Sequence, residues 1–102
     1  MAEDWYGVRT VYRHEALEVY EERVTIWRAD SVGAAIALAE DEAAEYSSIL
    51  DITCLDLVQA YRLADDVGSG AEVFSLMRES DLDAERYLDA FFDTGTERNR
   101  AV

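Results

Sequence analysis

The sequence predicts an α+β domain of order ββαββα: a four-stranded, mostly antiparallel sheet with two helices packed on one face. Three observations lead there. Four segments alternate apolar and polar residues with the period of a strand. Two others repeat apolar residues at intervals of three and four, the spacing of one helix face. The chain has 102 residues, 50% of them hydrophobic, which is a single domain's worth of core. We expect one domain over 1–96 and a frayed tail over 97–102.

The first strand is WYGVRTVYR (5–13), rich in β-branched and aromatic residues, with Tyr6, Val8, Thr10 and Tyr12 on one face. YEERVTIWR (20–28) alternates again, with Glu22, Val24, Ile26 and Arg28 against Arg23, Thr25 and Trp27. The period then changes. Ser31 is the better N-cap of the pair Asp30-Ser31. Val32, Ala35, Ile36, Ala39, Ala43 and Tyr46 form the apolar stripe of the first helix, and Glu40, Asp41, Glu42 and Glu45 face away. LDLVQAYRL (55–63) reads as a third strand, DDVGSG (65–70) as a turn, and GAEVFSLMR (70–78) as a fourth strand. Ser80-Asp81-Leu82-Asp83 fits the start of a second helix, with Ala84, Tyr87, Leu88, Phe91 and Phe92 on its buried side and Thr94-Gly95 at its end. The halves align weakly: EERVTIWRADSV (21–32) lies beside AEVFSLMRESDL (71–82) at a constant offset. Shared strand-turn-helix grammar is enough to give that alignment.

Composition narrows the function classes. The formal charge is −14, from 23 acids against nine arginines and no lysine. That disfavours nucleic acid and anionic membranes, which need positive charge facing phosphate. No apolar run approaches the ~20 residues of a membrane span, and the N-terminus lacks the basic and apolar regions of a signal peptide. Cys54, the single cysteine, can make neither an internal disulfide nor a multi-cysteine metal site. The expectation is a cytoplasmic protein without cofactor or metal.

On the alternation, Tyr6, Val8, Thr10 and Tyr12 join Val24, Ile26, Leu55, Leu57, Tyr61, Phe74 and Leu76 under the helices. The opposite face then collects Trp5, Arg9, Arg13, Arg23, Trp27, Val58, Arg62 and Met77, together with Val11 and Val73. It is too apolar to be simply solvated, and tryptophan and arginine are typical of interface hot spots. Homodimerisation through this face is the first expectation, with Trp27 near its centre. A pocket for an anionic small molecule under the arginines is the second. Base stacking on Trp5 and Trp27 is a third, which the charge opposes.

Three acidic features compete for a chemical role. FFDTGT (91–96) reads like the catalytic loop of an aspartic protease, with Asp93 as its aspartate. That loop follows a strand and works by pairing two carboxylates, whereas here the spacing of Leu88, Phe91 and Phe92 is helical. A glycine just past a helix end explains Gly95 without catalysis. Asp81, Glu85, Asp89 and Asp93 form a stripe at spacing four, which could meet a basic protein; Arg86 stands where a calcium loop needs glycine. Glu22 and Glu72 open equivalent strands on the expected core side and would need partners there. An enzyme using Asp93 or the Glu22/Glu72 pair is therefore an alternative to a non-catalytic binding module, as is an acidic inhibitor or immunity-like protein for a basic partner.

WYGVRTVYR, YEERVTIWRADS with its Ala/Glu-rich helix, LVQAYRL, and GAEVFSLMRESDLD with YLDAFFDTGTER together resemble a small bacterial family known only as a domain of unknown function. The resemblance spans nearly the whole chain and rests mainly on YEER and AEVFSL. It implies no activity or ligand. It marks YEER and FFDTGTER as family features and does not strengthen the protease analogy.

Overall fold

A computed structural model describes residues 3–48, 51–92 and 94–95. It is α+β, with a three-stranded antiparallel sheet and two helices: β1 (Asp4–His14), β2 (Val19–Ala29), α1 (Val32–Ser47), β3 (Ile52–Arg62) and α2 (Ala84–Phe91). The order across the sheet is β2-β1-β3. β1 and β2 form a hairpin whose turn needs Glu18 in the left-handed region, φ 53°. α1 then crosses the sheet so that β3 can pair with the free edge of β1.

α1 begins where the sequence places it. Ser31 is extended and its hydroxyl accepts from the Ala34 N–H at 3.1 Å, satisfying one of the donors a helix start leaves unpaired. Its buried residues are Ala35, Ala39 and Ala43, spaced by four. With only methyl groups on its inner side, α1 packs over the buried Tyr6, Val8, Thr10 and Tyr12 of β1. Tyr12 and Val8 are the largest fully buried side chains. Leu63 closes one end of this core, its N–H donating to the Trp5 carbonyl at 2.8 Å.

Register corrects the expected faces. Tyr6 pairs with Trp27, Val8 with Thr25, Thr10 with Arg23 and Tyr12 with Glu21. Residues opposite one another in a ladder share a face, so Trp27, Thr25 and Arg23 lie on the α1 side, and Val24 and Ile26 do not. β3 is inverted likewise: Val58 faces Thr10 and Ala60 faces Val8, both packed against the core, while Tyr61 lies opposite Gly7 on the other side. Alternation assigns two faces to each strand, but it does not say which of them continues the core face of the next strand. An irregularity between Thr10 and Tyr12 adds extra β3 residues around 55–57.

The C-terminal third departs further. Residues 71–80 form no strand, so the expected fourth strand has no ladder among the described residues. α2 starts three residues later than Ser80 would set, capped by Asp83 accepting from the Arg86 N–H at 2.9 Å. It contacts neither the sheet nor α1, and none of its residues is buried. The expectation of two helices on one face holds for α1 alone. The Cα radius of gyration is 15.8 Å, above the ~13 Å of a compact chain of this length. Among the described residues no helix is long and apolar enough to cross a membrane.

Candidate functional site

The two sides of the sheet have different chemistry. Under the C-terminal half of α1, side chains from three elements converge on Glu21. His14, at the end of β1, holds its Nε2 2.8 Å from Glu21 Oε1, and the Tyr46 hydroxyl of α1 donates to the same oxygen at 2.7 Å. Arg23, next along that face of β2, pairs with Glu42 at 2.8 Å and stacks 4.0 Å over the Tyr46 ring. Tyr46 in turn meets Tyr12 edge-on at 4.9 Å. Burial pushes the Glu21 carboxyl up, but the His14 and Tyr46 hydrogen bonds and the charges of His14 and Arg23 outweigh it and hold it below its ordinary value. His14 and Tyr46 both bond Glu21, and Arg23 ties Glu42 to the Tyr46 ring. The cluster is a polar clasp between hairpin and helix.

In the sequence His14 stands just past the expected first strand (5–13), and no spacing connects it to Glu21, Glu42 and Tyr46. The hairpin register is the signal that joins them: a four-residue turn sets His14 opposite Val19, which brings Glu21 onto the face of His14 and Tyr12.

A groove of about 320 Å³ lies between α1 and β3, with Glu40, Asp56, Cys54 and Ser47 along it and Thr10 at its floor. It is acidic, so it does not suit an anion. Burial pushes the Cys54 thiol up, and the nearby Asp56 and Glu40 charges push it the same way. That makes it a poor nucleophile. Among the described residues no cluster of three or more metal-ligating side chains occurs.

The face opposite α1 is more open. It carries Trp5, Arg9, Val11 and Arg13 from β1 and Glu22, Val24, Ile26 and Arg28 from β2. Val24 is 41% exposed. Residues 73–74 reach this face: Tyr61 Oη donates to the Val73 carbonyl at 2.6 Å, Phe74 meets the Tyr61 ring edge-on at 5.9 Å, and Arg9 lies 5.4 Å over the Phe74 ring. Beside it a small cleft of about 110 Å³ holds Glu72 with Tyr61, Arg62 and Phe74.

The eight residues expected to share one face are therefore divided. Trp5, Arg9 and Arg13 are on the open face. Arg23, Trp27 and Val58 are on the α1 side, where Trp27 packs on the core and its indole N–H donates to Thr25 Oγ1 at 2.7 Å. Arg62 ends β3 opposite Tyr6, and Met77 stands fully in solvent in the arm after Phe74. Each of the four arginines has a carboxylate: Arg9 with Glu22, Arg13 with Glu15, Arg23 with Glu42 and Arg62 with Asp4. Glu22 is thus an exposed partner of Arg9, and no hydrogen bond or ion pair joins it to Glu72. Asp81, Glu85 and Asp89 are exposed along the arm; Asp93 lies outside the described residues. The phenylalanines before it close a helix, and Gly95 takes φ +90°. The helix ends at Phe91 with Phe92 as its cap, three residues before the Gly95 expected to end it, whereas a protease loop would follow a strand.

No protein-family model, curated protein or solved structure matches the chain.

Proposed function

We propose that this protein is a non-catalytic binding module that pairs with a second copy of itself through the sheet face opposite α1. The observation that carries the reading is the exposure of Val24 on a face that also bears Trp5, Val11 and Ile26 and three arginines, Arg9, Arg13 and Arg28. Apolar surface ringed by arginine is the composition of a protein interface. The expected dimer is kept, but its centre moves from Trp27 to Val24. Within this proposal the fourth strand over 70–78 acquires its ladder only in the assembled form, since its alternation is that of a strand. The resemblance to a bacterial family of unknown function and a cytoplasmic location belong to the same proposal.

The carboxylate already facing each of Arg9, Arg13, Arg23 and Arg62 weakens the anionic-ligand reading, because an anion would have to displace it. An enzymatic reading has little support, because Glu22 and Glu72 have separate surroundings and Glu21 is consumed by the clasp.

Sedimentation velocity at micromolar concentration tests the pairing. The expected result is a dimer for the native chain and, for Val24→Asp, a dissociation constant raised at least ~30-fold with unchanged circular dichroism. A native chain that stays monomeric would refute the reading.

A further inference from the structure

The chain carries a segment suited to the open face but held away from its own. Beyond Phe74, the large apolar residues Leu76, Met77, Leu82, Leu88, Phe91 and Phe92 are all exposed. α2 is fixed by its own arm instead of by the sheet. Arg78 lies 4.0 Å over the Phe91 ring and donates to Tyr87 Oη at 3.2 Å, while Tyr87 packs against Phe91 and Phe92. These contacts leave Leu88 and Phe92 52% and 63% exposed, with no covering element among the described residues. A self-braced helix with uncovered apolar residues is shaped to meet something outside its own chain.

We infer that the arm of one copy, residues 71–92, docks on the open sheet face of a second copy. This rests on the pairing proposed above and names what fills the face. Leu88 and Phe92 of α2 lie against Val24 and Ile26 of the partner, and Asp81, Glu85 and Asp89 turn toward the partner's arginine-bearing surface. Charge favours this arrangement. Two chains of −14 repel, so association needs a site where an acidic segment meets arginine. On the open face Arg9, Arg13 and Arg28 pair with Glu22, Glu15 and Glu3 of their own chain, exposed pairs that contribute little. The arm, unlike a small anion, can exchange with those carboxylates while burying Leu88 and Phe92. Size agrees as well. A helix of eight residues is ~12 Å long, enough to cross three strands spaced ~4.8 Å apart. Phe74 already sits between Arg9 and Tyr61, so the arm leaves its own sheet from the surface that the partner's arm would share. Exchange of both arms closes a two-fold dimer in which each contact occurs twice.

The test is disulfide trapping in the full chain, in a Cys54→Ser background. Chains bearing Val24→Cys are mixed with chains bearing Leu88→Cys and oxidised gently, and the products are separated without reductant. The expected product is a mixed dimer linked from position 24 to position 88, lost when Phe92→Asp is added while circular dichroism stays native. If Val24→Cys chains link only to each other, the two sheet faces meet directly: the arm inference fails and the pairing stands. If a chain carrying both cysteines closes on itself and the mixture gives no linked dimer, the arm covers its own sheet and the inference is overturned. A native chain that sediments as a monomer overturns the inference and the pairing together.

Discussion

The Tyr61 ring occupies the space that a side chain at position 7 would need: a Cβ on Gly7 would lie 2.4 Å from Tyr61 Cζ. Gly7 and Tyr61 are opposite one another in the β1–β3 ladder, on the face away from α1. The missing side chain lets the ring lie flat across β1, where its hydroxyl reaches the Val73 carbonyl. Gly7→Ala should push the ring end aside, break that hydrogen bond and release Phe74. The expected loss is ~1–3 kcal/mol, the usual range for overpacking. In a Tyr61→Ala background the same change should be neutral or slightly stabilising, because glycine is otherwise the poorer strand residue. Urea denaturation of the four proteins measures this, and an equal loss in both backgrounds would refute the steric account.

Trp27 belongs to the core, so its truncation should affect folding more than association. Trp27→Ala removes a half-buried indole packed against the cluster of Tyr6, Val8, Ala29, Ala35 and Ala39. Complete burial would put the loss at ~3–5 kcal/mol; partial burial places it nearer ~2–3. Any dimer dissociation constant, measured where the variant is still folded, should change less than ~3-fold. Unaltered stability with weakened association would return Trp27 to the interface.

The clasp at Glu21 gives the fold a dependence on acid. Its folded carboxyl is held below the ordinary value, with burial opposing and His14, Tyr46 and Arg23 favouring the charged form. A depressed folded pKa stabilises the native state above the unfolded pKa, ~4.3 for glutamate. That stabilisation is lost as pH falls through the folded value. Thermal unfolding followed from pH 7 to pH 3 should show a shallower acid limb in Glu21→Gln than in the native chain. Parallel limbs would mean that the clasp carries no protonation-linked stability.

Cys54 is exposed yet should react slowly. Partial burial, then Asp56 and Glu40, raise its pKa and reduce the thiolate fraction at neutral pH. Alkylation by iodoacetamide at pH 7 should run several-fold slower than for a small free thiol, and Asp56→Asn should speed it. A native rate matching the free thiol would remove the electrostatic argument.

Local pattern determined much of this protein. The α+β class, the period of β1, β2 and β3, the N-cap at Ser31 and the alanine stripe of α1 follow from spacing and from the chemistry of single residues. So does the helical setting of Phe91, which separates FFDTGT from a protease loop. These features depend on neighbours a few positions apart, and such neighbours are written next to one another in the chain. What tertiary structure decided is which side of each strand is inside. In β2 the more apolar-looking residues Val24 and Ile26 went outward. Trp27 and Arg23 went under α1, because pairing with Tyr6 and Thr10 set the register and Glu42 and Tyr46 were there to receive the guanidinium. The same long-range pairing put Tyr61 over Gly7 and joined His14, Glu21 and Tyr46. Strand alternation is symmetric between its two faces, so contacts between residues far apart in sequence must choose between them.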